Sequence, residues 1–279
     1  MDKKTIGIIG LGLMGGSLSL ALQKSSNDYD FVGYDHNTLH CTQALELGLV
    51  SSIATSLQEI KECDIIVLTI PVDGIIKVLQ ELTDISKDTT IIDFGSTKEK
   101  ICNSIPPTIR ENFVAAHPMA GTEKFGPSAA IEHLYKHKVV VLCDIEQSGK
   151  LQKQRAIDIF KTIKMNIVFM GAKEHDRHAA YISHMPHALS YSLANAVMNQ
   201  EQRESIVALA GGGFKDMSRI AKSSPYMWED IFRQNQTNLI EAIESFQKEL
   251  KKCKKMVENQ EWEELNSWMA KANKLHEIL

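Results

Sequence analysis

The fold of this chain is decided by a six-residue stretch near its start, Gly10-Leu11-Gly12-Leu13-Met14-Gly15. The stretch follows an apolar, β-branched run at residues 5–9 and precedes a helix-like segment, so it joins a strand to a helix. Its first glycine permits a tight turn, its second lets a pyrophosphate approach the backbone, and its third lets helix and strand pack closely. We therefore predict a dinucleotide site at this helix N-terminus, with Leu13 and Met14 beside the ligand.

Asp35 ends the next strand-like run, residues 31–34, and lies twenty residues past Gly15. A carboxylate at this spacing can accept hydrogen bonds from the adenosine ribose. An arginine for the 2′-phosphate of NADP is missing from the residues that follow it, His36, Asn37 and Thr38. The spacing therefore predicts NAD as the cofactor.

Two further apolar runs, residues 64–70 and 89–94, are continuous rather than alternating, as is typical of parallel strands buried on both faces. Later strand-like runs at residues 138–143 and 166–169 flank a helix-like segment. We predict an α/β fold in which residues 1–171 form a Rossmann-type, doubly wound sheet.

His117 and Ser96 each follow an apolar, strand-like run. Because the carboxyl ends of parallel strands meet at one edge of the sheet, both side chains should lie near the glycine turn. An imidazole there can act on a ligand, although a histidine that caps the strand is the commoner case. The Ser96 hydroxyl could bond a ligand, bond His117, or cap the helix predicted to begin at Lys98.

After Gly171 the pattern changes to long helices, so we predict an all-α domain over residues 172–279. Its first segment, residues 173–198, is apolar on nearly all sides and is predicted to be a buried central helix. His184 and His187 share one face of it, on either side of the helix-bending Pro186. They could line a pocket or lie in the core, and because no nearby cysteine or carboxylate completes a ligand set, we expect no metal.

Three glycines, residues 211–213, precede Asp216 and Arg219 and leave room for a ligand or another backbone to approach. Asp216 could hold the Arg219 guanidinium so that its planar fork binds a substrate carboxylate. The alternative is an ordinary ion pair on a helix surface.

Apolar positions spaced by three and four from Trp228 to Val257 predict a helix-packing seam. The seam could lie within the chain or form a dimer in which Trp228 approaches the partner's site.

The composition excludes several classes of protein. The net charge of the 279 residues is −4 and the basic residues form no aromatic-interleaved stripe, so we expect no nucleic-acid partner. We also expect no membrane span, because no apolar run approaches the ~20 residues that one needs. The five cysteines form no Cys-x-x-Cys pair, which favours a reducing, cytoplasmic environment over a disulfide framework.

Taken together, the motifs resemble those of the prephenate dehydrogenases of tyrosine biosynthesis, in order and over nearly the whole chain. The segments that carry the resemblance are the glycine stretch, Gly95-Ser96-Thr97-Lys98, residues 117–123, Ser183-His184-Met185-Pro186-His187, and residues 211–219 with Trp228. The resemblance implies a Rossmann domain joined to a helical dimerisation domain in a homodimer, with the active site in the cleft between them. The implied reaction is the NAD-dependent oxidative decarboxylation of prephenate to 4-hydroxyphenylpyruvate, CO2 and NADH.

The resemblance also implies residue roles. His117 would contact the ring hydroxyl and accept its proton, and Ser96 would hold that hydroxyl or the imidazole and lie beside the cofactor. Arg219 and His187 would bind the carboxylates. Further expected contacts are Thr122 at the substrate, with Asp216, His184, Glu123 and Trp228 in support.

Three other functions remain open at this stage. The substrate could be arogenate, whose side chain carries an amine where prephenate has a keto group. A β-hydroxyacid dehydrogenase would need a lysine base in the helical domain, where this sequence instead has histidines and an arginine. A non-catalytic dinucleotide-sensing protein would keep the glycine turn but would have no reason to place Ser96, His117 and Arg219 around one cleft.

Overall fold

A computed structural model describes residues 3–278 of the chain and contains one eight-stranded sheet. Its strands run in the order β3-β2-β1-β4-β5-β6-β7-β8. Their bounds are β1 Lys4–Ile9, β2 Tyr29–Tyr34, β3 Ser52–Ile53, β4 Ile65–Leu68, β5 Thr90–Asp93, β6 Phe113–Pro118, β7 Val139–Cys143 and β8 Asn166–Met170.

The α-helices before the end of the sheet are α1 Leu13–Ser25, α2 Thr38–Glu46, α3 Leu57–Lys61, α4 Val72–Glu81, α5 Glu99–Asn103 and α6 Lys150–Thr162. Those after it are α7 Ala172–Ala179, α8 Met185–Met198, α9 Arg203–Ala208, α10 Gly212–Ser218, α11 Pro225–Gln234, α12 Gln236–Glu258 and α13 Trp262–Asn273. The chain therefore combines an α/β domain with a helical domain, which confirms the predicted fold class.

Both faces of the sheet are covered. In β4, Ile65 and Val67 belong to one apolar cluster, whereas Ile66 and Leu68 belong to a second cluster on the opposite face. All four are fully or almost fully buried, as expected for a parallel strand between two helical layers.

The sheet is parallel from β3 to β6, but β7 pairs antiparallel with β6. The chain therefore reverses at the carboxyl edge of β6 and returns through residues 119–138. This loop lies at the same edge as the glycine turn, because it starts where a parallel strand ends. It carries Thr122 and Glu123.

The segment at residues 173–198 is not one buried helix, so that prediction was wrong in part. It comprises α7, a wide helical turn at Ala180–His184 and then α8, with Pro186 near the start of α8. Within α8 only Ser190 is buried. Its larger apolar side chains are half-buried at Met185, Leu189, Leu193 and Val197 and exposed at Met198.

The predicted seam from Trp228 is interrupted. Asn235 separates α11 from α12 with φ −116° and ψ 34°, and its side-chain amide donates to the carbonyl oxygen of Asp176 over 2.7 Å. Leu239 is buried, whereas Leu250 and Val257 are about half exposed. The first part of the seam therefore packs within the chain and the second part faces outward. None of the helices within residues 3–278 has the length and apolarity that crossing a membrane requires.

Candidate active site

A cleft of about 580 Å³ opens at the carboxyl edge of the sheet, against the helical domain. Its volume lies in the range of small-molecule sites. The predicted residues that border it are Gly12, Leu13, Met14, Ser96, His117, Thr122, Glu123, His187, Arg219 and Trp228. Those outside its lining are Gly10, Gly15, Asp35, His184 and Asp216.

The glycine turn has the geometry that a phosphate site needs. Gly10 has φ +99°, a left-handed conformation that favours glycine. A Cβ atom at Gly15 would clash with the carbonyl oxygen of Gly10, so helix and strand meet there without room for a side chain. A Cβ atom at Gly12 would meet nothing within 4 Å. The N-terminal amides of α1 therefore face open space in which an anion can bind.

Asp35 directly follows β2, and backbone amides of the glycine turn and of Asn37 hold its side chain. Its Oδ2 atom accepts a hydrogen bond from the Leu11 amide at 2.8 Å, and its Oδ1 atom accepts one from the Asn37 amide at 2.9 Å. The Nδ1 atoms of His36 and His40 lie 3.4 Å and 3.5 Å from the same two carboxylate oxygens. The contact of Asp35 with a ribose stays a prediction.

His117 lies near the end of β6 and is 8% exposed, at the cleft. Its Nδ1 atom is 2.8 Å from Nε2 of His175, and Nδ1 of His175 is 2.8 Å from Oδ1 of Asp176. Since Nδ1 of His117 is occupied, Nε2 is the ring nitrogen available to a ligand. His175 and Asp176 were missed in the sequence, where they lie in a segment predicted to be an apolar helix.

The surroundings keep His117 and His184 neutral near pH 7. Burial lowers the pKa of His117 well below its ordinary value, and the neighbouring His175, Lys98 and His184 lower it further. Burial also lowers the pKa of His184 to about 4. A neutral His117 has the free lone pair that a proton acceptor requires.

The backbone before His117 is clamped by a buried ion pair between Lys98 and Asp93. The Lys98 ammonium also donates to the carbonyl oxygen of Ala116 at 2.8 Å. Asp93 accepts a hydrogen bond from the Ala116 amide at 3.1 Å. Both polar groups of the residue next to His117 are thus fixed by buried charges.

Ser96 borders the cleft, but it does not cap a helix. The Asp176 carboxylate takes that role, because it accepts hydrogen bonds from the amides of Lys98 at 2.7 Å and Glu99 at 2.9 Å. Within residues 3–278 no hydrogen bond joins Ser96 to His117, whose Nδ1 atom lies against His175 instead. Ser96 retains its hydroxyl for a ligand.

His187 stacks on Trp228, with ring centroids 3.5 Å apart and an interplanar angle of 22°. Its Nδ1–H donates to the carbonyl oxygen of Ser183 at 2.9 Å, so Nε2 is the free nitrogen. Burial lowers the pKa of His187, and Arg219 lowers it further.

His184 is buried with its ring 6.1 Å from that of Trp228, and its Nδ1 atom accepts a hydrogen bond from Asn235 at 3.1 Å. Of the two histidines, His187 lines the cleft and His184 supports it.

The expected pairing of Asp216 with Arg219 was wrong. Both side chains are exposed, and the ion pairs of residues 3–278 do not include one between them. The helical spacing itself is present, because residues 216–218 belong to α10 and Arg219 keeps helical angles of φ −56° and ψ −44°. An ion pair between two exposed side chains gains little in water, so the spacing alone does not hold them together. Arg219 still borders the cleft beside His187.

Thr122 and Glu123 lie exposed on the loop after β6, at the mouth of the cleft. Thr122 Oγ1 accepts a hydrogen bond from the Lys124 amide at 3.2 Å. Open space also surrounds the glycines at residues 211–213, where a Cβ atom would meet nothing within 4 Å.

Two family models together match nearly all of the chain. Residues 18–169 match the nucleotide-binding domain of prephenate dehydrogenase, and residues 171–271 match its dimerisation domain. The chain belongs to the prephenate dehydrogenase family. It is therefore an oxidoreductase, and the resemblance stated from its motifs is confirmed.

Two proteins of similar sequence carry different names. A prephenate dehydrogenase from Bacillus subtilis is 33% identical over 269 residues, which cover 94% of this chain and 72% of that protein. A cyclohexadienyl dehydrogenase from Zymomonas mobilis is 30% identical over 263 residues, which cover 92% of this chain and 90% of that protein.

Among solved structures, prephenate dehydrogenase from A. aeolicus in complex with hydroxyphenyl propionate and NAD+ is similar with a TM-score of 0.92. It is 31% identical, and the match covers 100% of this chain and 99% of that one. The prephenate dehydrogenase fold thus extends over all of the chain described above.

Proposed function

We propose that this chain catalyses the NAD-dependent oxidative decarboxylation of prephenate to 4-hydroxyphenylpyruvate, CO2 and NADH. The observation that carries the proposal is the position of His117. Its free Nε2 atom faces one cleft, bordered by the glycine turn with Gly12 and by the cationic side chain of Arg219. A base between a nucleotide site and an anion-binding group suits a dehydrogenase whose substrate carries carboxylates.

The residues present fit NAD as the cofactor. The open space at Gly12 and the N-terminal amides of α1 would hold its pyrophosphate, and Asp35 would hold its adenosine ribose. Ser96, Leu13 and Met14 border the same part of the cleft. When NAD is bound, it would supply the acceptor for the hydride that leaves the substrate ring.

His117 acts as the general base in this proposal. Neutral at Nε2, it accepts the proton of the ring hydroxyl, and the Ser96 hydroxyl orients that same group. The buried Lys98–Asp93 pair fixes the backbone beside His117 and so fixes the direction of the imidazole. Loss of CO2 then makes the ring aromatic, a step for which the protein chiefly needs to orient the substrate.

Arg219 and His187 bind the substrate carboxylates in this proposal. Arg219 offers a planar, doubly donating fork. His187 has Nδ1–H committed to Ser183, so Nε2 must gain a proton before it can donate to a carboxylate. The negative charge of a bound carboxylate favours that proton and offsets the lowering of the His187 pKa by burial and Arg219. Trp228 holds the His187 ring by stacking, and Thr122 and Glu123 border the entrance.

The proposal includes the organisation of the protein. We place the boundary between the two domains at residue 171 and propose a homodimer formed through the helical domain. Large apolar side chains that this chain leaves exposed support that assembly, among them Leu209, Met217, Leu250, Val257 and Trp262. The five cysteines are unpaired, which supports a cytoplasmic location.

Arogenate is the second candidate substrate. The relative from Zymomonas mobilis is named a cyclohexadienyl dehydrogenase, and the ring chemistry at His117 is the same for either substrate. The two differ at the side chain, where arogenate carries an amine.

The deciding experiment measures NADH formation by the purified protein with prephenate and with arogenate separately, using NADP as the cofactor control. Fast turnover of prephenate with NAD supports the proposal in full. Preference for arogenate keeps the mechanism and changes the substrate. If neither is turned over while calorimetry shows that NAD binds, the enzyme proposal fails and a dinucleotide-sensing role replaces it.

A further inference from the structure

We propose that His175 and Asp176 form an inward proton relay with His117, in which His175 positions the base and receives a proton from it. This inference rests on the proposed function and deepens it. His175 is a positioning residue, because it acts on the substrate only through His117.

The direction of each hydrogen bond follows from Asp176. Its carboxylate accepts the amides of Lys98 and Glu99 as well as Nδ1 of His175, and a carboxylate can only accept. Nδ1 of His175 therefore carries a proton, which leaves Nε2 bare in the neutral ring. A bare Nε2 must accept from its neighbour, so Nδ1 of His117 carries a proton as well. Neutral His117 is thereby fixed with its lone pair on Nε2, toward the cleft.

Burial holds these hydrogen bonds in one direction. His117, His175 and Asp176 are 8%, 2% and 2% exposed, so little water competes for their bonds. Asp176 is anchored on three sides. Its carboxylate accepts from the amides of Lys98 and Glu99 at the start of α5 and from His175, and its carbonyl oxygen accepts from Asn235. The tautomer of His117 is therefore set by a rigid group rather than by solvent.

The charges around the pair favour moving a proton inward. His175, Lys98 and His184 each lower the pKa of His117, so a positive charge on that ring is disfavoured. Lys98 is already neutralised by Asp93, whereas the carboxylate nearest to His175 is that of Asp176, at 2.8 Å. A cation on His175 therefore forms a close ion pair, which a cation on His117 lacks.

The relay conserves protons at every step. The substrate hydroxyl proton binds to Nε2 of His117, and the proton on Nδ1 of His117 passes to Nε2 of His175. His117 ends neutral with its proton on Nε2, and His175 ends as an imidazolium held by the Asp176 carboxylate. The reverse transfer restores the resting tautomers when the proton leaves through the cleft.

The resting tautomer can be measured without any substrate. Nitrogen-15 NMR of histidine-labelled full-length protein distinguishes a protonated ring nitrogen from a bare one, and a His117→Gln variant assigns the signals among the ten histidines. We expect His117 with the proton on Nδ1 and His175 with the proton on Nδ1. A proton on Nε2 of resting His117 would overturn the relay, whatever the enzyme turns over.

A second test uses H175Q, because a glutamine oxygen can accept from Nδ1 of His117 but cannot take its proton. We expect kcat to fall by about 10- to 100-fold with KM and NAD affinity unchanged. We also expect the solvent deuterium isotope effect on kcat to decrease, because one proton moves in the variant instead of two. The matched control is H178Q, on the exposed face of the same helix α7. A variant H175Q with the kcat and isotope effect of H178Q would contradict proton transfer, and if H175Q does not fold, the NMR of the unmodified protein still decides.

Discussion

Asp230 on α11 accepts a hydrogen bond from the backbone amide of Val72 at 3.1 Å, although the two residues are 158 positions apart. Val72 begins α4 of the α/β domain, so a helical-domain carboxylate caps a helix of the other domain. Arg233 adds an ion pair to Asp73 at 2.8 Å in the same place. Because α11 also carries Trp228, this junction fixes one wall of the cleft against the sheet.

We expect Asp230→Ala to lower the free energy of unfolding by about 1–3 kcal/mol, since it leaves the buried Val72 amide without an acceptor. Urea unfolding measures the change. Glu229→Ala is the matched control on the same helix, because Glu229 is exposed. Equal midpoints for the two variants would show that the capping bond does not contribute.

Two glycines of the turn should respond differently to alanine. Gly12→Ala should fold normally and weaken NAD binding by on the order of 10-fold or more, because the added methyl group enters the space for the phosphates. Gly15→Ala should lower stability by about 1–3 kcal/mol, because its methyl group meets the Gly10 carbonyl. Calorimetry with NAD and thermal unfolding separate the two effects. Undiminished NAD affinity in Gly12→Ala would place the nucleotide elsewhere.

His117→Asn should reduce kcat by about two to four orders of magnitude and leave NAD binding unchanged, because it removes the positioned base and not the nucleotide site. Steady-state kinetics and NAD titration test this. Near-normal turnover would exclude His117 as the base.

Arg219→Ala should raise KM by about 10- to 100-fold with a smaller effect on kcat, because a charge-assisted bond to a substrate carboxylate is lost. Arg219→Lys should recover part of the affinity, since it keeps the charge without the fork. Lys222→Ala, in the same short helical turn, is the control. An unchanged KM would return Arg219 to a surface role.

Stability should fall as the solution is acidified. Burial lowers the pKa of His184 to about 4, so between about pH 6.5 and pH 4 the unfolded chain binds a proton there that the folded chain does not. The contribution of neutral His184 to the free energy of unfolding is complete above the pKa of the unfolded chain, about 6.5. This contribution should decrease by about 2 kcal/mol between about pH 7 and pH 5. Urea unfolding across this range should show a shallower decline in His184→Gln. Parallel curves for the two proteins would contradict the assignment.

Several candidate site positions could be located from the sequence because short-range spacing encodes where they lie in the fold. The glycine turn, the acid at residue 35 and the side chains at strand ends follow from chain periodicity and from the geometry of a parallel sheet. The Asp216–Arg219 pair failed although the helical spacing is present, because both side chains are exposed and an ion pair in water gains too little to fix them. The prediction of one buried helix at residues 173–198 failed because an apolar pattern fixes neither where the helix is interrupted nor how many of its faces are covered.

The sequence by itself determined the fold class, the nucleotide turn, and the histidine, serine and arginine that border one cleft, because each depends on neighbours a few residues away. Only the tertiary structure decided what those groups bond to. His117 meets His175 across 58 positions, and Asp176 caps α5 across 78. Such partners depend on how α7 packs against the sheet edge, and a hydrogen bond a few ångströms long requires that packing to be known in three dimensions.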